Sequence, residues 1–97
     1  MSWMVEDATL RHQESPGTFQ IPSKDDIKKL HAGNLVKLIF TNQTGETERM
    51  WVEIKKVLKD RREFEGVLDN DPVIITELAA GSKISFLAQN IASIWED

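Results

Sequence analysis

The chain has 97 residues, of which 40 % are hydrophobic and 29 % are charged, and its formal net charge is −4. This length fits one domain with a modest core, and the acidic total disfavours a general nucleic-acid binder. The absence of cysteine from the sequence excludes disulfides, thiolate metal sites and cysteine nucleophiles. The opening "MSWMVEDATL" lacks the segments of a signal peptide, and every apolar run is too short to cross a membrane. We therefore expect a cytoplasmic protein that does not span a membrane.

Residues 1–22 are predicted to form an arm that precedes the domain. Within them, "MSWMVEDATLRH" predicts a short helix with Ser2 at its N-cap. The following "ESPGTFQIP" contains two prolines and a Pro-Gly pair, which favour an extended loop. Phe19 and Ile21 alternate in this loop and are expected to dock on the core. Residues 23–97 are assigned to a single α+β domain.

The stretch "SKDDIKKLHAG" carries the start and stop signals of a helix. Ser23 occupies the N-cap position. Asp25 and Asp26 follow in the first turn, where acidic side chains complement the helix dipole. Gly33 is placed to end the helix in the left-handed conformation.

After Gly33, apolar residues recur at every second position, which is typical of strands with one buried face. This alternation runs through "LVKLIF", "RMWVEI", "FEGVL" and "KISFLA", with turn residues in "TNQTGET" and a charged hairpin tip in "KDRRE". The predicted fold is α+β: a small curved antiparallel sheet or partly open SH3-like barrel, with one or two short helices. Its predicted core consists of Val36, Leu38, Phe40, Met50, Val52, Ile54, Phe64, Leu68, Ile84 and Phe86.

Two segments repeat one pattern 48 residues apart. "IKKLHAGNLVKL" (residues 27–38) and "ITELAAGSKISF" (residues 75–86) share Ile, Leu, Ala-Gly and later apolar positions at the same offsets. Each segment predicts a helical turn, a stop at glycine and then a strand. Two copies are too few for a solenoid. Convergence on a local device explains the likeness better than duplication of an ancestral half.

The cluster Asp69-Asn70-Asp71 in "EGVLDNDP" looks more like a site than any other stretch. A calcium loop of the EF-hand type needs alternating oxygen ligands, a glycine at its sixth position and a distal glutamate. Here, apolar residues follow Pro72 where those groups are required. Asn and Asp tolerate left-handed dihedrals, and Pro72 holds Asp71 extended, so a turn is the better interpretation. We expect no metal and no cofactor.

A run of basic residues lies in "KKVLKDRRE", from Lys55 to Arg62. It supplies five positive charges, which neighbouring acidic residues nearly cancel. A nucleic-acid surface needs unopposed positive charge interleaved with aromatic residues. A solvated hairpin tip is therefore favoured, and an RNA-binding barrel that uses this run remains an alternative.

Trp51 lies on the strand face opposite to Met50, Val52 and Ile54. A tryptophan in that position either covers a second apolar layer or stays partly exposed, and exposed tryptophans often anchor binding surfaces. The candidate surface for a ligand or partner comprises Trp51, Asn70, Asp69, Asp71 and Arg49.

The segments "GNLVKLIF", "GETERMWVEI", "FEGVLDNDP", "LAAGSKISF" and "IASIW" together resemble the YegJ-like family of small, uncharacterised bacterial proteins. The resemblance extends from about Ile21 to Trp95 and implies the fold and its boundaries, but no activity. It matches the turn at Gly66, Leu68, Asn70 and Pro72. The chain departs from the pattern at "AQN", where acidic or histidine residues are common, and this departure argues against catalysis.

No catalytic constellation surrounds His12 or His31, and no phosphate-binding loop or hydrolase motif occurs in the sequence. The leading hypothesis is a non-catalytic binding or adaptor domain, monomeric or homodimeric, that contacts a protein partner or a small ligand. An immunity-type or phage-related inhibitor is a specific version that rests on analogy. One alternative is a hydrolytic or transfer enzyme that uses Asp69, Asp71 or Glu48, and the RNA-binding barrel is another.

Overall fold

Alternating apolar residues build one antiparallel sheet that curls into a nearly closed barrel, and two short helices accompany it. The computed structural model describes residues 2–96, and its strands are β1 (Trp3–Val5), β2 (Leu35–Asn42), β3 (Thr47–Leu58), β4 (Glu63–Leu68), β5 (Lys83–Leu87) and β6 (Ile91–Ile94). The helices are α1 (Ala8–Glu14) and α2 (Lys24–Lys28). Two 3-10 turns, Lys59–Arg61 and Ala88–Asn90, follow β3 and β5. Met1 and Asp97, at the outer ends of the predicted arm and domain, lie outside the described residues.

Neighbouring strands are antiparallel and follow the order β1-β2-β3-β4-β5, and β6 returns to pair with β2. Strand β2 therefore has β3 on one edge and shares its other edge between β1 and β6. The ladder between β3 and β4 shifts register between Ile54 and Lys56, and a bulge of this kind bends and twists a strand. The curl brings β1 and β5 to the two sides of one cavity, which we call the seam.

The hydrophobic core fills the inside of this barrel. All ten predicted core residues are buried, and none is more than 4 % exposed. The rings of Phe64 and Phe86 stack with centroids 5.3 Å apart, and Trp3 tilts against Phe40 at 5.8 Å. The sequence pattern thus identified the buried face correctly, and the predicted curved antiparallel sheet with short helices is confirmed.

The start of the chain differs from the prediction. Trp3–Val5 forms β1 on the edge of β2, so Ser2 does not cap a helix. The helix starts later, after Asp7, whose Oδ1 accepts bonds from the N–H groups of Thr9 (2.9 Å) and Leu10 (3.2 Å). The apolar stripe of residues 2–12 is blurred, and pairing with β2 decides the conformation that local propensity leaves open.

The N-terminal capping signals of the second predicted helix are confirmed, whereas the prediction that the helix ends at Gly33 is wrong, because it ends five residues earlier. Ser23 Oγ accepts a bond from the Asp26 N–H (3.1 Å), and the Asp26 carboxylate accepts one from the Ser23 N–H (3.2 Å). These two bonds form a capping box, and the helix ends at Lys28. The preceding loop docks as predicted, because Phe19 and Ile21 pack on a small buried cluster contributed by α1, β2 and β6.

The repeated segments share their glycine geometry and the turn that precedes the glycine. Gly33 has φ of 101° and Gly81 has φ of 91°, and their N–H groups donate to carbonyls of neighbouring strands, Ile54 O and Leu68 O, both at 2.8 Å. Before its glycine, each segment makes one i→i−3 turn, in which the Leu30 N–H donates to Ile27 O and the Leu78 N–H donates to Ile75 O, both at 3.1 Å. The predicted turn is therefore present in both copies. The first segment begins with the last two residues of α2, whereas residues 75–81 contain no α-helix, because the β-branched run "VIIT" directly after Pro72 disfavours one.

Candidate functional site

The "DNDP" stretch fastens the loop between β4 and β5 to the edge of β3. The Asp69 N–H donates to Trp51 O at 2.9 Å, and the Trp51 N–H donates to Asn70 Oδ1. The asparagine side chain therefore acts as an acceptor for an edge amide that the ladder does not use. Asp69 and Asp71 themselves are exposed. Within residues 2–96, no group of three or more His, Cys, Asp or Glu side chains is arranged to hold a metal ion.

Glu48 holds the middle of the same loop. Its carboxylate accepts bonds from three successive backbone amides, those of Val73 (2.8 Å), Ile74 (2.8 Å) and Ile75 (2.9 Å). Partial burial raises the pKa of Glu48, but these amide bonds outweigh it and hold the pKa below the ordinary carboxyl value. Ile75 is fully buried, so the carboxylate anchors the loop at the point where it enters the core.

The Glu48→Gln substitution is expected to destabilise the protein by about 1–2 kcal/mol at pH 7, because it removes charge-assisted bonds and turns an amide donor toward a backbone donor. A lowered folded-state pKa means that the stabilisation is present above the unfolded pKa, about 4.3 for glutamate, and is lost as pH falls through the folded value. Urea titrations at pH 7 and pH 3 should therefore show a smaller difference between the proteins at pH 3. An equal difference at both pH values would contradict the assignment.

The remaining predicted site residues lie on the outer face of β3. The Trp51 ring meets the Trp95 ring edge-on, with centroids 5.2 Å apart and planes at 82°, and the Lys37 ammonium lies 4.9 Å from the Trp51 centroid. Arg49 is placed differently, with its guanidinium 5.5 Å from the Phe19 ring of the arm. The structure thus brings Trp51, Asn70 and Asp69 together, whereas Arg49 contacts the arm.

A groove with an apolar floor lies on another side of the molecule, between the arm with α2 and the two 3-10 turns. Its volume is about 780 Å³, within the usual range for small-molecule sites. The apolar lining consists of Ile21, Pro22, Ile27, Leu87, Ala88 and Ile91. The charged lining consists of Lys24, Lys28, Lys59, Arg61, Arg62, Asp60 and Glu63.

The rim of this groove is basic although the protein is acidic. Five of its charged lining residues are basic and two are acidic, a surplus of three positive charges, against a net charge of −4 for the whole chain. Arg61 is fixed in place, because its Nε donates to Leu30 O at 3.0 Å. Lys59 forms an ion pair with Glu63 at 3.0 Å. Lys24 and Lys28 project from α2 as exposed side chains. This arrangement concentrates positive potential over an apolar surface.

The turn that forms one wall of the groove has a strained backbone. Lys59, Asp60 and Arg61 have φ values of 48°, 54° and 64°, in the left-handed region that non-glycine residues seldom occupy. The surrounding bonds hold this conformation: the Arg62 N–H donates to Lys59 O at 3.1 Å, and the Ala88 N–H donates to Arg62 O at 3.1 Å. Strain of this kind is concentrated at ligand-binding and active sites.

Almost the whole chain matches one known protein family. Residues 2–96 match the family described as an uncharacterised protein conserved in bacteria, DUF2314. The chain belongs to the DUF2314 family. The resemblance to uncharacterised bacterial proteins is thereby confirmed, whereas the match carries no YegJ-like designation. No curated protein matches the chain, and no solved structure matches it. Neither helix in residues 2–96 has the length and apolar composition needed to cross a bilayer.

The groove of this DUF2314 protein was not predicted from the sequence. The hairpin tip that forms its strained wall was identified, but only as a solvated tip or as part of an RNA-binding run. The structure divides that run, because Lys55 and Lys56 lie on β3 outside the groove lining, and Lys55 pairs with Glu53 at 3.0 Å. A local signal existed in the apolar residues of the arm, but nothing in the sequence placed the arm opposite the tip.

Proposed function

We propose that this DUF2314 protein is a non-catalytic binding domain and that its ligand occupies the basic-rimmed groove. The single observation that carries the proposal is the combination of an apolar floor with a surplus of three positive charges on the rim. We also assign the barrel to the SH3-like type. Its support is the meander of antiparallel strands whose last strand, β6, returns to pair with β2.

The groove fits a small anionic amphiphile, a molecule with a carboxylate, sulfate or phosphate head and an apolar body. The lysine and arginine side chains of the rim would bind the head, and the apolar floor would cover the body. The engaged arginine at the strained turn is preorganised, because Arg61 is already bonded to Leu30 O at 3.0 Å. Preorganised groups lose less conformational entropy when they bind.

A binding role accounts for the carboxylates better than catalysis does. Both oxygens of the Glu48 carboxylate accept backbone bonds, so this group serves the loop. Asp69 and Asp71 are exposed, and neither lines the groove.

The proposal is tested by isothermal titration with decanoate and with decanol, which has the same apolar body without the charge. We expect decanoate to bind at least about tenfold more tightly than decanol, since the two differ by one desolvated charge interaction. The Lys24→Glu/Lys28→Glu variant should lose most of this difference. The Lys55→Glu/Lys56→Glu variant carries the same change in net charge outside the groove and should keep it. Equal binding of both ligands, or equal losses in both variants, would refute the proposal.

The surface around Trp51 is a second candidate, for a protein partner, and comprises Trp51, Asn70, Asp69, Asp71 and Arg49. The observation in its favour is that Trp95, whose ring meets the Trp51 ring edge-on, is 52 % exposed, and exposed tryptophans are common interaction anchors. Capture of bound proteins from bacterial extract should fall with Trp95→Ala. An immunity-type role further requires that a captured protein is inhibited. Unchanged capture would remove this candidate.

A further inference from the structure

Strands β1 and β5 are the first and last strands of the path β1-β2-β3-β4-β5, and each pairs with a neighbour on one side; β6 lies beside β1 on the same edge of β2. Because each of the five strands is antiparallel to its neighbour, the first and the fifth run in the same direction. A single strand placed between them, antiparallel to both, would therefore pair with both edges and close the barrel. Free edges are templates for such pairing, since they present rows of unpaired N–H and C=O groups.

The backbone of β1 presents two residues to the seam. The Glu6 N–H donates to Ile39 O at 2.8 Å, on the uniform antiparallel register between β1 and β2. Successive residues of a strand turn their N–H and C=O groups to opposite edges. Trp3 and Val5 therefore direct these groups away from β2 and toward β5.

The backbone of β5 presents groups from the opposite side. The Leu68 N–H donates to Ser82 O at 2.9 Å, and the register between β4 and β5 has no shift. The same alternation directs the N–H and C=O groups of Lys83 and Ser85 away from β4 and toward β1. Both edges thus offer donors and acceptors to the space between them.

The space between the edges has a volume of about 860 Å³. Its lining is apolar on the side that faces the barrel interior and more exposed on the outer side. Trp3, Val5 and the stacked rings of Phe64 and Phe86 form an apolar inner wall. Met4 lies on the outer side and is 61 % exposed. A strand in this position would point alternate side chains toward the apolar wall and the others outward.

The charged lining of the seam favours a basic occupant. Asp7, Glu63 and Glu65 lie along it, against the single basic residue Lys83, which leaves a surplus of two negative charges. The groove, in contrast, has a positive surplus. Complementary charge selects partners and suppresses wrong ones.

We propose that the seam binds an extended segment of a partner protein as an added strand, in which apolar residues alternate with lysine or arginine. The segment's backbone would pair with Trp3 and Val5 on one side and with Lys83 and Ser85 on the other. Main-chain bonds supply the affinity in this mode of recognition, and alternate side chains supply the specificity. The proposal does not depend on the ligand of the groove.

The test uses a capped seven-residue peptide that alternates valine with lysine, titrated into the full chain. Saturation should slow amide hydrogen exchange at Trp3, Val5 and Ser85 by at least about tenfold, because these N–H groups become bonded. A peptide that alternates valine with glutamate, and one with the lysine peptide's composition but its valines in one block, should bind at least about tenfold more weakly. Equal binding of either control peptide, or no slowing of exchange, would overturn the proposal.

Ser85→Pro provides the matched variant. It removes the N–H that faces the seam and leaves the bonds to β4 intact, so peptide binding should weaken at least about fivefold, whereas Ser85→Ala should bind as the wild type does. If Ser85→Pro does not fold, peptides methylated at alternate backbone nitrogens remove the same bonds and should fail to bind. A second copy of the chain could occupy the seam instead of a partner, and sedimentation without peptide tests this. A dimer with slow exchange at these amides would show that the second copy is the occupant and would overturn the proposal.

Discussion

Gly66→Ala is expected to destabilise the protein by about 3 kcal/mol, at the upper end of the range for overpacking a closed site. A Cβ at this position would lie 2.3 Å from Glu53 O and 2.8 Å from Val52 Cγ1. Gly66 faces β3 beside the register shift between Ile54 and Lys56, where the backbones approach closely. The carbonyl belongs to the ladder, so it cannot move away without breaking strand pairing.

Urea titration measures this effect as a lower midpoint with an unchanged slope. A domain of this size has a total stability of roughly 5–15 kcal/mol, so the variant should also melt at least about 10 °C lower. Gly17→Ala is the control, because no atom lies within 4 Å of its Cβ position, and it should change stability by less than about 0.5 kcal/mol. A loss of stability below about 1 kcal/mol for Gly66→Ala would show that the β3 backbone can shift to accommodate the added methyl group.

Gly66 also illustrates what a sequence pattern states and what it leaves open. The resemblance singled out Gly66, Leu68, Asn70 and Pro72, and turn chemistry gave a physical reason only for Asn70 and Pro72. The structure gives two reasons: close approach of backbones at Gly66, and an acceptor for the Trp51 N–H at Asn70. Asp69 and Asp71 were prominent in the sequence, but both are exposed, and the contact that Asp69 makes to Trp51 uses its backbone N–H.

The core and the strands were predictable because their signals are local. Alternation of apolar residues shows which face of a strand is buried, whatever its partner, and the capping box at Ser23 and Asp26 is contained within four residues. The positive φ of Gly33 and Gly81 was expected for the same reason, since a reversal into a strand requires it.

The groove, the seam and β1 were not predictable because each depends on contacts distant in sequence. Arg61 is bonded to Leu30 O, 31 positions away, and Glu48 to the amide of Ile75, 27 positions away. Trp3–Val5 becomes a strand only because β2 has a free edge beside it. The periodicity of apolar residues within a short stretch of sequence carries no information about such distant pairings. The basic hairpin tip and the apolar arm are therefore recognisable separately in the sequence, but their proximity in the groove is not.

Asn90 also connects residues that are far apart in the sequence. Among the residues described, it is the only polar side chain that is buried, at 9 % exposure, and it lies at the end of the 3-10 turn between β5 and β6. Its Oδ1 accepts a bond from the Leu87 N–H at 2.7 Å, and its Nδ2 donates to Glu6 O at 3.0 Å. It thereby joins the end of β5 to the residue that follows β1 and closes one end of the seam.

Asn90→Ala is expected to destabilise the protein by about 2–3 kcal/mol, because it leaves the Leu87 N–H and the Glu6 carbonyl without partners. Gln89→Ala, on the same turn, is the control: Gln89 is exposed and should cost less than about 0.5 kcal/mol. Thermal and urea unfolding measure the difference, and faster amide exchange at Leu87 locates it.

Asn90→Asp keeps the acceptor but turns a carboxylate oxygen toward the Glu6 carbonyl. Its loss of stability relative to the wild type should therefore shrink when acid protonates the aspartate and restores a donor. A loss that is the same at pH 7 and pH 4 for Asn90→Asp would show that the bond to the Glu6 carbonyl does not stabilise this end of the seam.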